Sequence, residues 1–246
     1  MIDPSLDYNG KTVCIIGGSS GIGNATAHAF RNQGADVHVT GTRPSEADYD
    51  AAEGSDLVGL TYHQLDAADD SAIIALRQKF DRLDILVCSQ GMVMYKRAEF
   101  EPENFARVVQ VNLNSLMTCA GEFHDLLKQA RGSLIIISST AAFHATVGNP
   151  GYNASKAGAA GLTRTLGKAW APDGIRVNGI APGLIATKMT KVTTDNPQRR
   201  EATVKSIPVG RIGDPDDMAG LALFLASPLA GYIVGQTIIA DGGLLL

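Results

Sequence analysis

A short apolar run, Lys11-Thr12-Val13-Cys14-Ile15-Ile16, stops at Gly17-Gly18-Ser19-Ser20-Gly21-Ile22-Gly23 and gives way to a helical pattern carried by Ala25, Ala27, Ala29 and Phe30. No other feature restricts the fold as tightly. A strand that turns on glycines straight into a helix gathers backbone N–H groups and the positive end of a helix at one point, which suits a phosphate. Glycine is needed there because a Cβ would block either the anion or the packing of helix on strand. The spacing is Gly-x-x-x-Gly-x-Gly, and the helix closes at Gln33-Gly34.

The alternation continues along the chain. Further strands are predicted at residues 35–40, 57–65, 85–88, 134–138, 175–181 and 236–240, and helices at 71–80, 102–128, after Pro150-Gly151, and at 214–225. Strands alternating with helices, with no linker, repeat or low-complexity segment, imply one domain over residues 1–246. Its expected architecture is α/β: a doubly wound, Rossmann-type parallel sheet of about seven strands with helices on both faces. Residues 184–207 follow the sixth strand and are polar, irregular and weakly helical. An insertion at the carboxyl end of a strand is a candidate substrate lid.

Composition removes several function classes. Apolar content is 45%, charged content 19% and net charge −4, with no run of Lys or Arg longer than two. A sizeable core is therefore expected, and nucleic acid or an anionic membrane surface is not. Met1 to Ser5 lack the basic flank and apolar stretch of a secretory leader, and no apolar run approaches the ~18 residues of a membrane span. Three cysteines (Cys14, Cys88, Cys119) read as buried thiols of a reducing, cytoplasmic compartment. The five histidines show no ligand spacing, so no metal site is expected.

The chemistry concentrates at Ser139 to Lys156. Tyr152 and Lys156 are four residues apart, which places both on one face of a helix. A phenol titrates near pH ~10, and an ammonium about 5 Å away at an effective dielectric of about 20 favours phenolate by roughly 3 kcal/mol, or about two pKa units. That brings a tyrosine toward general acid–base work. Ser139 follows the fifth strand, and a loop from there to the helix can bring its hydroxyl beside the phenol, where both can bond one carbonyl oxygen. Asn112, flanked by apolar Val111 and Leu113 in a helical run, needs a specific polar task to offset its burial. At the end of the second strand the acid that would take ribose hydroxyls is absent, and Thr42 and Arg43 stand instead; this favours NADP(H) over NAD(H). The fourth strand ends in Ser89-Gln90-Gly91, again placing a glycine beside a prospective cofactor.

Taken together, the glycine turn, Asp66, Asn112, Ser139, Tyr152-Asn153-Ala154-Ser155-Lys156, Pro182-Gly183-Leu184-Ile185-Ala186-Thr187 and Asp241-Gly242-Gly243 resemble the short-chain dehydrogenase/reductase family, in its roughly 250-residue Tyr-x-x-x-Lys branch. The resemblance implies Tyr152 as general acid/base and Ser139 as the group that orients the substrate oxygen. It implies Lys156 as the cation that lowers the tyrosine pKa and holds the nicotinamide ribose, and Asn112 as holder of a water linking Lys156 to solvent. Gly17, Ser19, Ser20, Gly21, Ile22 and Gly23 would line the diphosphate. Asp66 would meet the adenine amine, Thr187 the carboxamide, and Gly91, Pro182, Gly183 and Ile185 would complete the cofactor cleft. Met92, Met94, Phe143, His144, Leu184 and Met189 are the expected pocket for an apolar substrate. The sequence departs from the family at Cys88-Ser89-Gln90, where Asn-Asn-Ala is usual, and at Ile16, where threonine is usual. It also lacks the arginine that many NADP-dependent members carry within residues 18–20.

The expected activity is interconversion of a ketone and a secondary alcohol by NAD(P)-dependent hydride transfer. The alternatives are a 3-oxoacyl-thioester reductase acting on acyl carrier protein or CoA substrates, where Arg199-Arg200 would serve a carrier, and a non-catalytic nucleotide-binding regulator. The sugar-epimerase branch has a longer chain and different glycine spacing. A homotetramer or homodimer is expected, with Ala157, Gly158, Ala160, Gly161 and Leu244-Leu245-Leu246 as candidate interface residues.

Overall fold

In the computed structural model, which describes residues 6–246, every strand runs parallel to its neighbours. The strands are β1 (Thr12–Ile16), β2 (Asp36–Gly41), β3 (Thr61–Gln64), β4 (Ile85–Cys88), β5 (Ser133–Ile137), β6 (Arg176–Pro182) and β7 (Thr237–Ala240), in the order β3-β2-β1-β4-β5-β6-β7. The helices are α1 (Gly21–Asn32), α2 (Asp70–Arg77), α3 (Pro102–Val109), α4 (Ser115–Ala130), α5 (Pro150–Trp170), α6 (Lys191–Thr194), α7 (Pro197–Ser206) and α8 (Pro215–Ala226). Met1 to Ser5, read above as no secretory leader, lie outside the described residues.

Successive strand residues feed two cores. Val13, Ile15, Val37, Val39, Ile135 and Ile137 pack with Ala27, Phe30 and Leu223 under α1 and α8. Cys14, Ile16, Leu86, Cys88, Leu134 and Ile136 pack with Ile73, Phe123 and Leu166 under α2, α4 and α5. Strands buried on both faces read as continuous apolar runs, which is why the central ones were visible in the sequence. The three thiols meet inside the second core, all free and fully enclosed. Burial pushes the Cys14 thiol well up, and a hydrogen bond with Cys88 together with burial does the same for Cys119.

Three predicted elements change shape. The third strand is shorter than 57–65, because Leu57 to Leu60 form a turn through Gly59 at φ +73°. The helix predicted over 102–128 is two helices joined by a π turn at Gln110–Asn114. Residues 184–207 are more ordered than expected: a 3-10 turn at Lys188–Thr190 leads to α6 and α7, with Asn196 capping the Arg199 N–H. Of the candidate interface residues, Ala157 and Gly161 face outward. Ala160 is buried, and Gly158 packs against Leu113, where a Cβ would approach within 2.6 Å.

Candidate active site

β1 lies between β2 and β4, so the chain leaves its carboxyl end toward opposite faces on either side and a crevice opens there. A cavity of about 470 Å³ occupies that crevice. Its floor is the glycine turn. Gly17, at φ +77°, has no room for a side chain, since a Cβ would lie 2.8 Å from the Gln90 backbone. Its N–H donates to Thr40 Oγ1 at 3.0 Å. Gly23 lets α1 sit directly against the Gly17 carbonyl. At the start of α1, Ser20 makes no side-chain cap and the first turn carries no acid, so the leading N–H groups keep their capacity for an anion. This donor set fits a dinucleotide diphosphate.

Opposite the turn, β5 delivers Ser139 in extended backbone. Its Oγ accepts from the Ala141 N–H at 3.1 Å, which leaves the hydroxyl proton free to donate. Pro150 starts α5, where a missing N–H costs nothing. Asn153 donates to the carbonyls of Ala141 and His144 and fixes the connecting loop to the helix. Lys156 is 4% exposed; its Nζ donates to the Ile137 carbonyl at 2.9 Å, and its backbone carbonyl accepts from Ser138 Oγ at 2.9 Å. Ser139, Tyr152 and Lys156 all line the cavity.

The protonation pattern differs from expectation. Burial holds the Tyr152 phenol above its ordinary value; the Ser139 hydroxyl works against this, and the charges of Tyr95 and Glu99 add to it. Lys156 Nζ lies 5.7 Å from the centre of the Tyr152 ring and is bonded to a carbonyl, so in this arrangement it does not bring the phenol down. Burial lowers Lys156 itself to about 8.

Asn112 is fully buried in the π turn, whose extra residue swings it inward. Its Oδ1 accepts from the Met92 N–H at 2.8 Å, and its Nδ2 donates to the Met92 carbonyl at 2.9 Å and to Ser155 Oγ at 3.2 Å. It therefore clamps the loop after β4 to α5. Gly91 fills the gap between Asn112 and the lysine: a Cβ there would be 3.5 Å from Lys156 Nζ and 3.6 Å from Asn112 Oδ1.

A second clamp was missed in the sequence. Glu99 is 1% exposed, and its carboxylate accepts from the Met94 N–H at 2.9 Å, Asn149 Nδ2 at 3.3 Å and the Tyr152 N–H at 2.8 Å. It reaches this place because Lys96 and Arg97 both adopt left-handed backbone, at φ +58° and +62°. Each such residue costs roughly 1–2 kcal/mol, which the carboxylate contacts offset.

Other predicted residues divide. Ser19, Ser20, Gly21, Ile22, Thr42, Asp66, Gly91, Met92, Pro182, Gly183, Ile185, Thr187 and Met189 line the cavity. Arg43 does not: its guanidinium donates to the Asp48 carbonyl and lies over the Tyr49 ring, 4.8 Å from the centroid. Phe143 is half exposed outside the cavity, and the His144 ring bonds the Thr140 carbonyl at 2.9 Å, so neither lines the pocket. Leu184 instead borders a smaller cavity of about 190 Å³ beside Val209. The first turn after Thr187 is tied across the cleft on both sides. Tyr95 donates to the Met189 carbonyl at 2.6 Å, and Lys188 reaches Ser55 Oγ at 3.1 Å and Glu53 at 3.3 Å. Among the described residues no group of three or more His, Cys, Asp or Glu is arranged to hold a metal, and no helix is long and apolar enough to cross a membrane.

Known proteins resemble this chain along most of its length. Residues 17–245 match the family model described as enoyl-(acyl carrier protein) reductase. The chain is 38% identical to a 2-dehydro-3-deoxy-D-gluconate 5-dehydrogenase of Bacillus subtilis, with 97% of this chain and 96% of the relative covered. It is 36% identical to a 3-oxoacyl-[acyl-carrier-protein] reductase of Chlamydia pneumoniae, covering 96% and 97%. The structure of the Pseudomonas aeruginosa RhlG/NADP active-site complex superposes with a TM-score of 0.88 at 32% identity over 100% of both chains. With the glycine turn, the parallel sheet and the Ser139, Tyr152 and Lys156 cluster on one cleft, and relatives matched from end to end, the chain belongs to the short-chain dehydrogenase/reductase family.

Proposed function

We propose that this protein is an NAD(P)-dependent oxidoreductase that interconverts a ketone and a secondary alcohol, with Tyr152 as general acid/base. One observation carries the reading: Ser139, Tyr152 and Lys156 open onto the same cavity as the glycine turn, so proton donors and the phosphate-binding floor face one volume. Bound there, a nicotinamide nucleotide supplies or accepts the hydride. In reduction Tyr152 gives its proton to the substrate oxygen, and Ser139, whose own proton is free, bonds that oxygen as charge builds on it. Lys156 holds the ribose, and its ammonium would favour phenolate only on leaving the Ile137 carbonyl to which it is bonded here. Asn112 and Glu99 act through position, pinning the loop after β4 and the first turn of α5.

NADP(H) is favoured over NAD(H), because Thr42 and Arg43 follow β2 where a ribose-binding acid would otherwise stand, and because the RhlG structure is an NADP complex. The substrate classes suggested by the relatives are sugar acids and 3-oxoacyl thioesters, the second being the alternative reading. The segment 184–207 serves as a lid tethered at Met189 and Lys188. A cytoplasmic homotetramer or homodimer fits the outward Ala157 and Gly161; a monomeric mass in light scattering would refute it. The decisive assay screens ketones, keto sugar acids and 3-oxoacyl thioesters with NADPH and NADH. Turnover that survives unchanged in Tyr152→Phe would overturn the assignment of the acid.

A further inference from the structure

Past the end of β2 several hydrogen-bonding groups meet beside the cleft, with the Asp48 carboxylate close by, where it accepts from the Ser45 N–H at 2.9 Å. A Cβ on Gly41 would strike the Tyr49 hydroxyl and lie 2.6 Å from Ser19 Oγ, so both oxygens stand over the same glycine. The Arg43 backbone N–H donates to the Tyr49 oxygen at 3.1 Å. Behind them the Tyr62 hydroxyl, 3.4 Å from that of Tyr49, donates to the carbonyls of Gly41 and Arg43 and fixes the turn. With the Tyr62 proton directed at carbonyls, the Tyr49 proton is the one left to give. Burial raises this phenol, while the Ser19 hydroxyl, the Arg43 N–H and the Arg43 charge work against it. The Arg43 guanidinium lies against the same ring.

In this fold the end of the second strand is where the adenosine ribose falls, and the groups there decide between a 2′-hydroxyl and a 2′-phosphate. We propose that Tyr49 is a ligand of the 2′-phosphate of NADP(H), donating its phenolic proton beside Ser19 while its ring holds Arg43 ready to cover the anion. This deepens the NADP(H) reading above and rests on it. Adjacent hydroxyls with a stacked guanidinium suit a dianion, since an anion gains most from charge-assisted donors.

The test compares the full-length wild type with Tyr49→Phe, which keeps the ring under Arg43. Calorimetry gives dissociation constants for adenosine 2′,5′-bisphosphate, 5′-AMP, NADPH and NADH. The expected result is that the variant loses about tenfold in affinity for the two 2′-phosphorylated ligands and less than twofold for the others, with an unchanged melting temperature. The phosphorus resonance of the bound 2′-phosphate should titrate at higher pH in the variant, because one donor to the dianion is gone. An equal loss for all four ligands would mean that the phenol only packs, and no loss would mean that it does not touch the phosphate; either overturns the proposal. If the wild type itself binds NADH and 5′-AMP as tightly as their phosphorylated counterparts, the NADP(H) reading fails first and the assignment of Tyr49 falls with it.

Discussion

Around Tyr152 and Lys156 the polar atoms are buried and partnered: Asn112, Ser155 and Glu99 are enclosed and each is bonded to a different segment. Around Thr42 to Glu53 and along α7 the chain is exposed, α7 buries no residue, and long side chains such as Lys188 and Arg43 make the contacts. Proton transfer needs groups held within fractions of an ångström, and the proposed catalytic end is built from enclosed networks that leave little slack. A nucleotide must also enter and leave, so this exposed side of the cleft is assembled from parts that open at small cost. Substitutions at the first end should therefore appear in kcat, and those at the second in cofactor affinity.

The largest effect tests the catalytic end directly. Tyr152→Phe should lower kcat by about 10²–10⁴-fold while leaving the NADPH dissociation constant within a few-fold, as read by steady-state kinetics and fluorescence titration. Glu99→Ala comes next. It strands the Met94 and Tyr152 N–H groups and the Asn149 amide, so a loss of about 2–3 kcal/mol in urea unfolding is expected together with a fall in kcat of tens-fold. Should Glu99→Ala change KM alone, the carboxylate is not positioning the tyrosine.

The third prediction concerns pH. Lys156 titrates near 8 in the folded chain and near 10.5 when unfolded, so between those values the unfolded chain binds the extra proton and stability rises with pH. The span corresponds to about 3 kcal/mol. Replacing Lys156 by Met should flatten that rise when unfolding free energies of the two proteins are subtracted between pH 8 and 10, the common contributions of other groups cancelling. Parallel curves would mean that the ammonium is better solvated than its burial implies. The smallest effect belongs to the exposed side of the cleft. Lys188→Ala removes a part-exposed ion pair worth about 0.2–1 kcal/mol, so NADPH should dissociate a few-fold faster with kcat barely changed. A large fall in kcat would erase the contrast between the ends.

The alternation of strand and helix was legible because central parallel strands are apolar on both faces and the glycine turn stands directly after the first of them. The cluster of Ser139, Tyr152 and Lys156 was legible because Tyr152 and Lys156 share a helix face and Ser139 follows a strand. What escaped notice had the look of ordinary surface. Glu99 sits in the polar run Tyr95-Lys96-Arg97-Ala98-Glu99, and only two consecutive left-handed residues turn it inward. Tyr49 lies in a charged loop whose path depends on Tyr62, a distant strand residue. The cost of a mid-helix asparagine drew attention to position 112, but the widened turn that accommodates it packs against Met92 and Ser155, which no local pattern encodes.

The thiol trio under the sheet has a practical outcome. Cys14, Cys88 and Cys119 come from three separate segments yet share one sealed interior, and protonation keeps Cys14 and Cys119 unreactive. An alkylating reagent can reach them only when the central strands part, so the rate at which the native protein takes up label is a built-in clock for its global opening.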